Sequence, residues 1–241
     1  MKTLNIALKL SLLKEYLFPA GCAVCGRTLF DEHEAWFGLC VDCAGGFPLS
    51  QEPRCAVCGR PLISEAEICM NCRKKTPDEA NPDYDDMTLL YPYIGRTQTL
   101  LRSYKFGKHR ALARFFSEKL LSSISGINCF TEKIPCVPVP PRPGKIKTAG
   151  WDQIECIAKI LEKSMPVMRC LKRLSSKTQK ELGKSERLTN LQGRIICIKK
   201  PPEELIIFDD VFTTGSTMNV CAKTLKESGA KKVHGICLFY D

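Results

Sequence analysis

No stretch of this 241-residue chain is apolar for long enough to cross a bilayer. The longest candidate, Leu4 to Ala20, is interrupted by Lys9, Lys14 and Glu15, well short of the roughly 18 uninterrupted residues a spanning helix needs. The same lysines break any signal-peptide core, and Pro19-Ala20 runs into a cysteine motif rather than a small-residue cleavage site. Residues 1–19 are therefore expected to form an amphipathic helix, and the protein to be cytoplasmic. Proline and glycine are also sparse, 15 and 16 residues, which excludes collagen-like and low-complexity chains. With 26% charged residues and a mean hydropathy of −0.13, a membrane bundle is excluded as well. At 44% hydrophobic content a packed core is available, in one domain or in a small module joined to a medium one.

What the chain has in excess is cysteine, 15 in all. Eight fall in four Cys-x-x-Cys pairs within residues 22–72, and seven are scattered singly through apolar stretches. An odd total and knuckle spacing fit metal ligation in a reducing compartment better than disulfides; the single cysteines read as small buried hydrophobes. Residues 22–27, Cys-Ala-Val-Cys-Gly-Arg, recur at 55–60, which marks an internal repeat. Each copy is followed by a second pair, Cys40/Cys43 and Cys69/Cys72. Cys22, Cys25, Cys40, Cys43, Cys55, Cys58, Cys69 and Cys72 thus predict two tetrahedral Zn(II) sites, with Gly26 and Gly59 giving the knuckles their backbone freedom. All-cysteine sites are closed and structural, holding segments too small to fold on a core of their own. Sequential and cross-braced pairings are both open, and the duplication favours the sequential one. We assign residues 20–75 to this double module, the polar, Pro-broken segment 76–86 to a linker, and 87–241 to a second domain.

The second domain alternates strand and helix patterns. Leu89-Leu90-Tyr91, residues 134–139 and Leu205-Ile206-Ile207-Phe208 read as short buried strands, as does Val233 to Phe239. Helical spacing runs through Leu100, Leu101, Tyr104, Leu112, Phe115 and Phe116, through Ile154, Ile157 and Leu161, and through Val220 and Leu225. This order implies an α/β fold with a parallel sheet flanked by helices.

The sharpest chemistry lies where the 205–208 strand is expected to end, at Asp209-Asp210. Two carboxylates there, followed by Thr213, Thr214, Gly215, Ser216 and Thr217 opening a helix, combine hydroxyls, free backbone N–H groups and the helix dipole into a cradle sized for one phosphate. It is not a Walker A loop, because no Gly-Lys-Ser/Thr follows. Asp209 and Asp210 are placed to accept from vicinal ribose hydroxyls, so a sugar phosphate is the expected ligand; the alternative is a turn and a helix cap.

Charge is uneven. Residues 96–194 hold 21 Lys+Arg against 7 Asp+Glu, which fits a nucleic-acid surface, a phosphate-rich substrate or a solvated basic face. Tyr104, Lys105, Lys108, Arg110 and Trp151 are the candidates for binding DNA, with Tyr104, Phe106 and Trp151 offering rings to unpaired bases. His109 and His234 are expected to have ordinary surface or core roles.

The run Ile206 to Thr217 resembles the signature of the phosphoribosyltransferases, an apolar strand, two acidic residues and a Thr-Thr-Gly-x-Thr loop. With the cysteine module, Tyr104-Lys105-Phe106-Gly107, Val137-Pro138-Val139-Pro140, Gly150-Trp151-Asp152-Gln153, Thr178-Gln179 and Glu186-Arg187-Leu188-Thr189-Asn190, the chain resembles the ComF family of competence proteins. That family usually shows Arg-Gly-Phe-Asn-Gln where this chain has Ala149-Gly150-Trp151-Asp152-Gln153. The resemblance implies a double zinc ribbon joined to a phosphoribosyltransferase-type domain. It implies binding of phosphoribosyl pyrophosphate with Mg(II) at Asp209, Asp210 and Thr213 to Thr217, with Arg142, Lys145 and Lys147 on the pyrophosphate side. It implies single-stranded DNA and the uptake machinery at the cytoplasmic face of the inner membrane as partners. Phosphoribosyl transfer to an unidentified acceptor, DNA handling without turnover, and a non-catalytic zinc-ribbon adaptor are the three competing functions.

Overall fold

The computed structural model describes residues 20–49, 52–62, 67–74, 81–107, 109–126, 134–144, 150–174 and 195–241. The helix expected over 1–19, Lys108, Lys145, Lys147 and the motifs at 178–190 lie outside them.

The strands are β1 (Asp86–Pro92), β2 (Cys136–Pro138), β3 (Leu171–Arg173), β4 (Ile195–Cys197), β5 (Glu204–Phe212) and β6 (Lys232–Tyr240). Four of them form a sheet in the order β1-β6-β5-β2, with every pairing parallel; β3 and β4 pair antiparallel apart from it. Strands buried on both faces need continuous apolar sequence. β6 has it, for every residue from Val233 to Phe239 is buried.

Helices supply the two covers. On one face α4 (Gly95–Lys105), α5 (Leu112–Gly126) and α6 (Gln153–Leu161) pack Leu100, Tyr104, Phe116, Ile154 and Ile157 against Ile206, Phe208, Ile236 and Leu238. On the other, α7 (Ser216–Glu227) packs Met218, Cys221 and Leu225 against Leu205, Ile207, Val233 and Cys237. The continuous helical spacing from Leu100 to Phe116 is split into α4 and α5, since Phe106 and Gly107 close α4 onto the Arg102 carbonyl. Asp152 starts α6, its Oδ1 accepting from the amides of Ile154 at 2.8 Å and Glu155 at 3.0 Å.

The cysteine module, which carries the short helices α1 (Glu32–Phe37), α2 (Val41–Gly45) and α3 (Met70–Arg73), is not a detached bead. Leu39 and Phe47 join the core with Tyr91 and Phe115, the Tyr91 hydroxyl donates to the Phe47 carbonyl at 3.1 Å, and Ser103 Oγ donates to the Ala23 carbonyl at 2.6 Å. The second copy covers the outer edge of β1. Arg54 donates to the Leu89 carbonyl at 2.6 Å, and a Cβ on Gly59, whose φ is +70°, would stand 1.9 Å from the Met87 carbonyl oxygen. Only glycine fits there. Within the segment expected to be a linker, Tyr84 is buried, and Asp83 exchanges hydrogen bonds with Asn219 of α7 at 2.6 and 3.1 Å.

Candidate functional site

The cleft originates in a mismatch of strand lengths. β2 ends at Pro138, and its last rung is the Val139 amide donating to the Phe208 carbonyl at 3.0 Å. Pro140 and Pro141 have no N–H and lead the chain away. β5 does not stop at Asp209-Asp210 as the sequence suggested; it runs on to Phe212, held on its other side by β6 through the Val211–Phe239 and Phe212–Tyr240 pairs. From Asp209 onward β5 therefore has an open edge. The chain leaves β5 for α7 on one face and β2 for α6 on the other, the kind of switch point at which open α/β sheets hold ligands. A cavity of about 390 Å³ lies here, lined among others by Asp209, Asp210, Thr213, Thr217, Arg142 and Arg173.

Because β5 continues, the two carboxylates alternate across the sheet. Asp210 is turned towards α4, where its Oδ2 lies 2.8 Å from Lys105 Nζ. Asp209 Oδ1 accepts from the Asp210 amide at 2.8 Å. Its charge is felt on the opposite face, where burial first, and then Asp209, push the thiols of Cys221 and Cys237 up.

Past Phe212 the chain makes the hydroxyl-rich loop. Gly215 has φ +82°, and a Cβ on it would stand 2.7 Å from the Phe212 ring. Thr214 and Ser216 share a hydroxyl hydrogen bond of 2.8 Å. The N-cap of α7 is Gly215, which has no side chain to cap the helix, and the first turn has no acidic residue; Thr214 Oγ1 accepts from the Ser216 amide at 3.4 Å. The start of the helix thus brings amide donors and the positive end of its dipole to an anion.

Each cysteine quartet gathers within one repeat: Cys22, Cys25, Cys40 and Cys43, and Cys55, Cys58, Cys69 and Cys72, with the four sulfurs of each group within 4.8 Å of one another. The pairing is sequential. Cys25 and Cys40 sulfurs are 3.7 Å apart, as are those of Cys58 and Cys69. A Zn–S bond of about 2.3 Å gives a tetrahedron whose edge is about 3.8 Å, so the quartets fit zinc. The backbone prepares them for it. Burial opposes ionisation of Cys22 and Cys55, but amide donors from their own knuckles and from Cys40 or Cys69 bring both thiols down to about 6. Four thiolates would leave a bound ion no open coordination position, so zinc held there would serve structure.

Residues 13–73 match the family described as Double zinc ribbon domain. Over its length the chain is 26% identical to Competence protein F of Haemophilus influenzae, across 90% of this chain and 95% of that protein. It is 24% identical to Competence protein ComFC of Streptococcus pneumoniae, across 81% of this chain and 84% of that protein. It is 28% identical to Competence protein ComFC of Bacillus subtilis, across 58% of each. The chain is thus similar, over most of its length, to proteins named as competence proteins. Among the described residues no helix is long and apolar enough to cross a membrane.

Several residues singled out in the sequence fall elsewhere than their expected roles would need. Tyr104 is fully buried and Trp151 is 7% exposed. Their rings meet edge to face at 5.0 Å, and the Tyr104 hydroxyl donates to the Gln153 carbonyl at 2.6 Å. Neither offers a face to a base, because both complete the packing of α4 against α6. Phe106, 77% exposed, is the ring that does. Lys105, expected on a DNA surface, points into the cleft on Asp210. Arg110 lies over Trp151 at 5.5 Å, and Arg142 lines the cleft.

Two groups in the cleft carry no motif that would mark them as site residues. Asp152, which is 5% exposed, is among the residues lining the cavity; its Oδ1 caps α6, whereas its Oδ2 is buried without a hydrogen-bond partner. Arg173, at the end of β3, lines it too, and its Nε is buried without a partner. A cap residue and an arginine in a short strand carry no sequence signal for lining one cleft with Asp209 and Asp210. Only the tertiary fold brings them there.

Proposed function

We propose that this protein binds phosphoribosyl pyrophosphate in the β5–β2 cleft and acts in DNA uptake during natural competence, handling single-stranded DNA on the cytoplasmic side of the inner membrane. One observation supports the ligand above the rest. One cleft is lined by Asp209, Asp210, Thr213, Thr217, Arg142 and Arg173, next to the start of α7. The ligand offers a partner to each: a 5-phosphate for the α7 amides, ribose hydroxyls for the carboxylates and a pyrophosphate for the two arginines. Mg(II) suits this arrangement as a cation carried on the pyrophosphate, because it is held by one or two carboxylates plus substrate phosphates rather than by a protein cage. Bound there, it would neutralise charge on the pyrophosphate. Lys105 would exchange its ion pair with Asp210 for the ligand when ribose hydroxyls arrive.

The process is carried by the relatives, which are named as competence proteins. A basic surface next to exposed Phe106 is compatible with an unpaired strand. A second reading, phosphoribosyl transfer to an unidentified acceptor, draws on Asp152, a further carboxylate among the residues lining the cleft.

Calorimetric titration of phosphoribosyl pyrophosphate with Mg(II) tests the ligand. Binding by the zinc-loaded wild type that is lost in the Asp209→Ala/Asp210→Ala variant is the expected result; no binding by the folded wild type refutes it.

A further inference from the structure

The two zinc repeats carry the same hexapeptide, Cys-Ala-Val-Cys-Gly-Arg, yet their arginines do different things. In the first copy Arg27 stays at home, pairing with Glu34 at 2.5 Å and Asp42 at 3.4 Å, both in its own ribbon. In the second copy Arg60 leaves its ribbon altogether. Its Nη2 donates to the Thr213 carbonyl at 2.8 Å and to the Asp241 carbonyl. Its guanidinium also lies 5.9 Å from the centre of the Phe212 ring. Phe212 is the ring on which Gly215 rests, with no space for a Cβ between them.

We infer that Arg60 is a positioning residue through which the second zinc ribbon, and not the first, sets the conformation of the phosphate loop. The inference deepens the proposed ligand reading and rests on it only for the consequence in affinity. The physical case has three parts. The loop's first carbonyl must be turned back, away from the cleft, if the amides after it are to point forward into the cleft, and a charged donor at 2.8 Å fixes that orientation. The same guanidinium bridges the ends of β5 and β6, where Asp241 N also donates to the Phe212 carbonyl at 3.1 Å, so the loop's root cannot fray. The knuckle that presents Arg60 is itself anchored, by Gly59 against Met87 and by Arg54 bound to both the Gly59 and Leu89 carbonyls. Arg60 follows two residues after Cys58, so the folding of this knuckle around its metal is what aims the side chain. The fourfold sulfur set of the first ribbon has no such connection among the described residues. It packs instead beside α4, where Arg96 donates to Cys43 Sγ at 3.3 Å.

The test uses the full-length, zinc-loaded protein as wild type, Arg60→Met, Arg60→Lys and Arg27→Met, with bound zinc quantified for each. Amide hydrogen exchange of residues 214–217 is read without ligand, and affinity for phosphoribosyl pyrophosphate with Mg(II) by calorimetry. Arg60→Met is expected to keep both zinc ions, to speed exchange at 214–217 and to weaken binding about tenfold, the scale of one charged hydrogen bond. Arg60→Lys, which keeps a cation and one donor, is expected to recover at least half of both effects, and Arg27→Met to show neither. Unchanged exchange in Arg60→Met overturns the inference, as does an equal effect from Arg27→Met. If exchange responds while the wild type binds no phosphoribosyl pyrophosphate, the coupling stands and the ligand reading falls.

Discussion

Replacing Gly215 by alanine adds one carbon at the tightest point of the loop between β5 and α7. Two costs can be worked from the geometry. The φ of +82° lies in the left-handed region, where a Cβ costs about 1–2 kcal/mol. The new atom would sit 2.7 Å from a Phe212 ring that is 3% exposed and backed by Arg60. A ring so confined cannot step aside, and overpacking of this kind costs about 1–3 kcal/mol. The sum, about 2–5 kcal/mol, should be visible in equilibrium urea unfolding with zinc held in excess, as a lower midpoint at unchanged slope. If instead the first turn of α7 opens locally, the global loss is smaller and the cost reappears as lost ligand binding and faster amide exchange at 216–218. The two components separate in a Phe212→Leu background, where the steric part is relieved and the backbone part is not, so the double-mutant cycle should give a coupling of about 1–3 kcal/mol. A Gly215→Ala protein within about 0.5 kcal/mol of wild type, with the same affinity and exchange, would refute the reasoning.

Three further outcomes are expected. Denaturing release into a chromogenic chelator should yield two zinc ions per chain, and chelation should lower the midpoint of unfolding without removing the transition, since the ribbons lose their fold while the sheet keeps a core of its own. Asp152→Asn should leave stability within about 0.5 kcal/mol because asparagine also caps helices, while Asp152→Ala should lose about 1–2 kcal/mol; thermal unfolding of the two variants side by side checks this. His234 is buried, with Nδ1 2.5 Å from Asp86 and Nε2 2.9 Å from Glu204. Burial lowers its pKa, but the two carboxylates outweigh that and hold it above the ordinary value, with Lys232 opposing. Asp85 and Lys226 complete the charges at that sheet end. The raised value means that His234 stabilises the fold fully below its unfolded pKa of about 6.5, and that this contribution is lost as pH rises through the higher folded value. Stability measured across pH 5–9 should therefore decline less steeply in His234→Gln than in wild type; a curve of identical shape would count against the account.

The cysteine repeat and the 205–217 run were legible because each packs its chemistry into a few consecutive residues. Sequential zinc pairing followed from the duplication, and the parallel sheet from apolar runs too continuous to be half-exposed. Other features lay beyond local pattern. Tyr104 carried conflicting cues, a ring beside lysines and a place on the Leu100–Leu101 helical face, and the helical period, which reports burial, was the one that held. Asp209-Asp210 was read as a strand end because charge usually stops a buried strand; pairing with β6 carries the strand through it. Lys105, Asp152 and Arg173 reach one cleft from three separate elements, and Arg60 reaches a loop 153 residues away. Such meetings are set by how helices cross a sheet, which residue spacing does not encode.

The outer edge of β1 gives the second ribbon another consequence. A parallel sheet ends in a row of backbone groups that invites a strand from another molecule. Here that row is occupied by Gly59 pressed on Met87 and by the Arg54 guanidinium on Leu89. The ribbon is in effect a metal-fastened guard rail, and stripping its zinc should uncover a template for chain-to-chain pairing. The metal-depleted protein is then expected to self-associate through β1, so that zinc governs how long the molecule stays a separate particle as well as how it folds.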